Sequence, residues 1–400
     1  MEALSRRRVV IKAGVGLSYL ADPVKAALEA SDLAMGEAGL VRADLVLFFC
    51  TYAHATQLQE IISQIEKVTA AKEIAGCTGY GIIAGSQEVE QATGLSVMVI
   101  SSDTIKGKSF LVKAAPKNET LTAQKIVQES GSGGGPDNIG ILFPDFSQTH
   151  PELLLNALRK IVPEASWVGG CPSANNNSQA TYQAARGQAA TKSVCGMYLS
   201  GSFHTVLGVA QSAIPVGKTY TITEAKENVI HKLDGKNAYD SLAALAKATA
   251  IPPSQDPNAW IFMAFSPADG KEAIGREEYF VRNILGVDPQ RGIIAVAAHV
   301  HEGQKVSFAL RDGKMAREDL RNLLRRIKRD LPGPVRLGLY FNCCARGRSL
   351  YQSSGVDTSI IEEELGKFPL AGFFTYGELG PVLGQSLLHN YSGVLFLVCD

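Results

Sequence analysis

Three stretches of this chain follow one plan: an apolar strand, a helix, a second apolar strand, then a polar turn that carries glycine. They run from Asp44 to Gly85, from Asn138 to Asn177 and from Arg336 to Pro381. Short apolar runs alternating with helical periodicity restrict the chain to α/β architectures. The distance from strand end to glycine turn is similar in the first two stretches and longer in the third. This is weak internal repetition, not a tandem solenoid. Its physical meaning is that each unit aims a glycine-bearing turn the same way, and glycine lets a ligand approach the backbone closely. In α/β sheets ligands bind at the carboxyl ends of strands, where short side chains and backbone N–H groups converge. The expectation is that these distant bends meet in space and enclose a hollow open to solvent.

The third stretch is the richest. Its strand Leu337–Phe341 ends in Asn342, Cys343, Cys344, Ala345 and Arg346, and its strand Leu370–Phe374 ends in Tyr376, Gly377 and Glu378. The first stretch offers Gly76, Cys77, Thr78 and Gly79, and the second Gly170 and Cys171. These residues, with Asn390 before the final strand, form the candidate ligand-binding set. Glu378 suits a ligand ammonium. Arg346 suits a ligand carboxylate through a bidentate pair, or an internal acid such as Glu378. Together they would fit a zwitterion. Asn390 either closes a turn or touches ligand.

An enzymatic reading rests on Cys343 and Cys344. A thiol nucleophile needs a lowered pKa, and adjacent strand residues face opposite ways, so at most one of the pair faces the cleft. A buried structural role is favoured, and no catalytic residue is assigned; a cysteine-dependent hydrolase or amidase stands as the alternative, a protein-binding adaptor as another. His299 and His301 share a strand face in this reading, but no third ligand lies at useful spacing, so no metal is expected. No dinucleotide fingerprint, P-loop, H-E-x-x-H or G-x-S-x-G motif occurs, and Gly76–Gly81 lacks the lysine of a phosphate cradle. No cofactor is expected.

Composition narrows the class. Hydrophobic residues make up 46% and charged residues 20% of 400 residues, which is a globular profile with room for two domains. Lys plus Arg equals Asp plus Glu at 39 each, which counts against nucleic acid as a partner. The basic run Lys314–Asp330 spaces its leucines as an exposed helix does. Cysteines are scattered without C-x-x-C spacing, as in a reducing cytosol. No run reaches the roughly 20 apolar residues of a membrane span. Ser5–Arg8 resembles a twin-arginine signal, but Lys12 interrupts the apolar run and a strand and turn follow, so a cytoplasmic location is expected.

Along the chain, Asp22 caps a helix from Pro23 to about Gly39, and a helix is expected over Ala55–Val68. Glu129–Asn138 reads as a flexible loop. Cys195–Gly201 and Thr205–Gln211 read as a hairpin pair. Asp234-Gly235 forms a turn before a helix at Ala238–Thr249. The texture changes near Pro215, which divides the chain into 1–215 and 216–400, with Ile251–Pro257 a second connector.

Several marks resemble the FIST-domain family, with both its amino-terminal and carboxyl-terminal modules. They are KAGVGLS, DLVLFFCT, IAGCTGYGI and WVGGCPSANN in the first half. In the second they are HKLDGKNAYDSL, the run from YFVRNILGVDPQRG to HVHEGQKV, LGLYFNCCARG, and GFFTYGELGPV followed by LHNYSGVLFLV. The resemblance spans nearly the whole chain. It implies a sensory module that binds a small ligand, with amino acids proposed, acting in signal transduction through a protein partner. Such modules are often joined to output domains; here Asp400 follows the last strand directly, so a standalone form is expected. The fold class expected overall is α/β, with mixed sheets flanked by helices in two related modules with weak internal repeats.

Overall fold

The computed structural model describes residues 11–133, 138–176, 179–249, 260–267, 274 and 278–400. The protein is mixed α/β. Its elements run three times through nearly the same order. The first round is β1 (Ile11–Ser18), α1 (Pro23–Ala38), β2 (Leu45–Thr51), α2 (Leu58–Thr69), β3 (Glu73–Gly79), β4 (Gly81–Ala84), β5 (Gln87–Glu90) and β6 (Leu95–Ser102). The second is β7 (Ile105–Lys113), α3 (Glu119–Ser130), β8 (Ile139–Pro144), α4 (Pro151–Ile161), β9 (Ser166–Gly170), β10 (Gln183–Ala185), β11 (Gln188–Ala190) and β12 (Ser193–Gly201). The third opens with β13 (His204–Gln211) and is then interrupted. The insertion holds β14 (Ala213–Lys226), β15 (Val229–Leu233), β16 (Lys236–Asn237), α5 (Ala238–Ala248), β17 (Ile261–Phe265), β18 (Phe280–Asp288), β19 (Ile293–Val296) and β20 (Lys305–Arg311). The third round resumes with α6 (Gly313–Asp330), β21 (Val335–Cys343), α7 (Gly347–Tyr351), α8 (Val356–Leu365), β22 (Leu370–Thr375), β23 (Glu378–Val382), β24 (Gln385–His389) and β25 (Ser392–Cys399).

Each round builds a sheet by one rule. Its first and last strands pair with each other on one side of a parallel pair, giving β1-β6-β2-β3, β7-β12-β8-β9 and β13-β25-β21-β22. The parallel pairs are β2–β3, β8–β9 and β21–β22. The hairpin that follows each glycine turn then leaves its own round. β4–β5 completes the third sheet on β22, β23–β24 completes the second on β9, and β10–β11 completes the first on β3. The exchange closes a ring, so no round has a finished sheet of its own.

The paired strands are apolar along their length because both faces are covered. One face meets helices: Leu58, Ile61, Ile62 and Ile65 of α2 pack with Val46 and Phe48. The other face looks inward. There Phe49, Phe143 and Phe341 hold matching places in β2, β8 and β21. Phe49 and Phe143 stack edge-on at 5.5 Å, Phe143 and Phe341 at 6.0 Å. Phe373 lies 5.0 Å from Phe49 and completes the cluster. Beside it, three glycines also match: Gly76 opposite Phe48, Gly169 opposite Leu142 and Gly372 opposite Tyr340. A Cβ at these places would stand 2.1, 2.1 and 1.9 Å from the facing carbonyl oxygen. Only glycine allows the two backbones to come this close.

Helix α1 begins and ends as its sequence indicates. Asp22 accepts from the N–H groups of Val24 and Lys25, and Gly39 closes the helix in the left-handed conformation. Other expectations are corrected. β12 and β13 are not a hairpin: β12 lies between β7 and β8, while β13 joins β25 in another sheet. The chain crosses between rounds here, and short apolar strands a turn apart carry no signal of that. The helix expected from Ala55 starts at Leu58, after a 3-10 turn over Tyr52–Gln57. His299 and His301 follow β19 in irregular chain, so they share no strand face. The loop expected over Glu129–Asn138 begins later, because α3 runs to Ser130; its residues 134–137, and Ile251–Pro257, lie outside the described residues.

The chain forms two compact units. The larger contains the rounds up to Gly208, Arg321–Leu388 and Gly393–Asp400. The smaller is Val209–Leu320 with His389–Ser392. The smaller unit is thus inserted in the larger: the chain enters it at Val209 and later returns. That unit is a seven-stranded sheet, β14-β20-β17-β18-β19-β15-β16, with β14 also paired to β15. Its core contains Ile222, Met263, Phe265, Ile294 and Phe308.

Gly372→Ala tests the matched glycines. The added Cβ forces β21 and β22 apart, at a cost of about 1–3 kcal/mol or more, read as a lower denaturation midpoint in urea. The exposed control Gly36→Ala, whose Cβ meets nothing within 4 Å, should leave the midpoint within about 0.5 kcal/mol of the parent or raise it slightly.

Candidate functional site

The strand exchange brings the three glycine turns together. Cys171 donates its N–H to the Gly377 carbonyl at 2.8 Å, and Tyr376 donates to the Cys171 carbonyl at 3.1 Å. Ser173 donates its N–H to Thr78 O at 3.1 Å. Its hydroxyl accepts from the Tyr80 N–H at 2.7 Å and donates to the Phe374 carbonyl. Cys344 donates its N–H to Thr375 O at 3.0 Å. Glu378 pairs with Gly170 across β23–β9 and accepts from the Thr375 hydroxyl at 2.7 Å.

The turns thus bind one another more than they line a hollow. Gly76, Cys77, Thr78, Gly79, Gly170, Cys171, Asn342, Cys343, Arg346, Gly377 and Glu378 are all buried. Tyr376 is half-buried and reaches a cavity of about 370 Å³, together with Asp145, Phe146, Ser147, Gln179 and Thr181. Its hydroxyl donates to Ala174 O at 3.0 Å. A second hollow of about 510 Å³ is lined by Tyr52, Tyr80, Gln91 and Asn175. A larger groove of about 680 Å³ runs along β1 and the β4–β5 turn and contains no turn residue of the candidate set. Asn390 belongs to the smaller unit, where it faces Arg282 at 3.4 Å.

Arg346 has an internal partner, and it is Asp357 rather than Glu378. Nε and Nη2 meet the two carboxylate oxygens at 2.8 and 2.9 Å, with both side chains fully buried. Tyr340, Asn342 and Tyr351 donate to the same carboxylate. Burial pushes the Asp357 carboxyl up, but the Arg346 charge and these hydrogen bonds outweigh it and hold the group below its usual range. The guanidinium fork is therefore committed to pinning α8 against the end of β21.

Two acids that the sequence did not single out sit nearby. Glu88 of the exchanged hairpin accepts from the N–H groups of Gly355 and Thr358 and so caps α8. Glu90 accepts from the Arg348 N–H at 3.0 Å. Burial first, then the Asp357 charge, pushes Glu88 up to about 7 against those backbone bonds. Burial likewise pushes Glu90 up to about 7. Asp145 was also missed. It ends β8 directly, and Ser147 two residues on closes an Asx turn over it at 2.8 Å, a local pattern that D-x-S after a strand could have announced.

No disulfide joins the cysteines; Cys344 is partly exposed and the other six are buried. Burial pushes the Cys344 thiol well up, a hydrogen bond with Ser173 lowers it, and Glu378 and Glu90 raise it further. A thiol so placed stays protonated at neutral pH and is a poor nucleophile. Among the described residues no three His, Cys, Asp or Glu gather to hold a metal.

Two family models match the chain. The family model of the FIST N domain matches residues 44–236, and that of the FIST C domain matches 238–381. The chain belongs to the FIST family. FIST domains are generally sensory modules of signal transduction, thought to bind small ligands. The boundary between the two FIST matches falls within the inserted unit. The Mycobacterium tuberculosis protein Rv0628c, itself uncharacterized, is 28% identical over 98% of this chain and 100% of its own length. The uncharacterized Mycobacterium bovis protein Mb0898c is 27% identical over 98% of this chain and 99% of its own. Among solved structures, cyanuric acid hydrolase from A. caulinodans aligns with a TM-score of 0.29 and 11% identity, over 48% of this chain and 71% of that one. Among the described residues no helix is long and apolar enough to cross a membrane.

Two outcomes follow from the shifted groups. Glu88 and Glu90 have folded-state pKa values above the ordinary 4.5. Between these values the folded protein binds more protons than the unfolded chain, so their contribution is full below about pH 4.5 and is lost as pH rises through about 7. Glu88→Gln should therefore flatten the fall in urea stability between pH 5 and 8, by up to about 3 kcal/mol. A variant curve parallel to the parent's would contradict the assignment. For the thiols, iodoacetamide at pH 7.5 should label no cysteine rapidly in the native protein and all seven after denaturation, as counted by mass spectrometry.

Proposed function

We propose that this protein is a sensory module that binds an amino acid or a similar small polar metabolite and reports it to a signalling partner in the cytoplasm. The observation that carries this reading is Tyr376. It stands on the wall of the cavity of about 370 Å³, and its own backbone is bonded to Cys171 in the turn of another round. A ligand pressed against Tyr376 acts on a joint shared by two rounds. The other turns, with Gly76–Gly79, Gly170, Asn342, Cys343, Arg346, Gly377 and Glu378, serve as the frame that carries the displacement onward. Ligands enter α/β folds at strand carboxyl ends, and Asp145 and Tyr376 both follow directly from such ends.

The cavity of about 370 Å³ sits in the lower part of the usual range for small-molecule sites. Its mixture of aromatic rings with a few fixed polar groups is typical of pockets that orient a small ligand.

A thermal-shift screen of amino acids, amines and small carboxylates tests the reading. A true ligand at about 100 times its Kd adds about 2.7 kcal/mol of stability. Tyr376→Ala should remove that shift while the unliganded melting temperature falls only modestly. A shift preserved in Tyr376→Ala would place the ligand elsewhere.

A further inference from the structure

We infer that the cavity beside Tyr376 selects a small organic cation: a primary ammonium on a short alkyl or aryl body. This rests on the ligand-binding reading above and names its ligand class. The argument starts from Asp145, which is only 2% exposed yet lines the cavity. Its Oδ1 accepts from the Ser147 N–H at 2.8 Å and the Ser147 hydroxyl at 2.5 Å. Its Oδ2 accepts from the Thr181 hydroxyl at 2.8 Å. A carboxylate has about four lone-pair positions, so one on Oδ2 is left for a further donor. Thr181 is itself held in place, since it accepts from Gln183, which in turn accepts from Ser193. The carboxylate is therefore fixed before any ligand arrives.

All of these donors are neutral. Buried carboxylates are ordinarily paired with a positive charge. Asp357, equally buried, is paired with Arg346. Asp145 is the contrasting case: its named donors are neutral, and the residue lines the cavity. The rest of the wall suits the body of an amine. The Phe146 ring is 47% exposed, and Tyr376 and Ala180 add apolar surface. Aromatic faces attract a cation as well as its hydrocarbon stem. No described lining residue is basic, so an anion meets only repulsion there. The carboxylate of an amino acid likewise finds no partner on this wall, because Arg346 is committed to Asp357. A bare metal ion fits less well, since hard cations take six or more oxygens and no such cluster exists among the described residues.

The test uses the full chain and four probes: benzylammonium, butylammonium, benzyl alcohol and benzoate. Thermal shift and calorimetry should detect the two ammonium probes and neither the alcohol nor the benzoate. Asp145→Asn should weaken benzylammonium at least about tenfold, since a charge-assisted bond becomes a neutral one. Phe146→Ala, an exposed change that spares the fold, should weaken it roughly threefold to tenfold and guards against a misfolded Asp145 variant. Benzyl alcohol or benzoate binding as tightly as benzylammonium overturns the inference and leaves the ligand-binding reading standing. Undiminished affinity in both variants also overturns it. If no probe binds, and the wider metabolite screen is equally blank, the reading of the cavity as a ligand site falls and this inference falls with it.

Discussion

The structure depends on hydrogen bonds made across rounds rather than within them. β22 and β4, β9 and β23, β3 and β10 are partners drawn from distant parts of the chain. Without them each sheet would end in an unpaired strand edge, and unpaired backbone groups are costly to bury. The same pairing sets the turns against one another. Cys171 reaches Gly377 and Tyr376 only because β23 has been placed beside β9. The meeting of the turns is thus a by-product of how the sheets are finished.

Much of this was legible in the residues. The three strand–helix–strand–turn stretches are real, because parallel strands buried on both faces must be apolar throughout, and LVLFFCT, IGILFP and LAGFFT are. The cap at Asp22, the turn at Asp234-Gly235 and the amphipathic helix at 313–330 rest on local rules and were readable for that reason. The destination of each hairpin was not. Four-residue strands such as GIIA and QEVE look the same whether they return to their own sheet or cross to another. The false pairing of β12 with β13 has the same cause, since strands a short turn apart read alike whether or not they pair.

The candidate site shows a similar division. Type and spacing pointed to the turns that meet, yet not to which atoms face a hollow. Arg346 reads as a ligand-binding residue because a strand-end arginine is one; its partner Asp357 stands in a helix 11 residues on, at a separation no spacing rule covers. Asp145 carries no glycine or cysteine signal; it stands one residue past β8, and only the fold shows that it lines a cavity.

The order of the exchange also bears on how the chain is made. β4 and β5 leave the ribosome early, but β22, the strand they join, is near the far terminus. Until then Glu88 and Glu90 have no α8 or α7 to cap, and the hairpin must wait in solvent. Its two acids are charged in water and burdensome once enclosed, so they keep the nascent ribbon from sticking to itself during that delay.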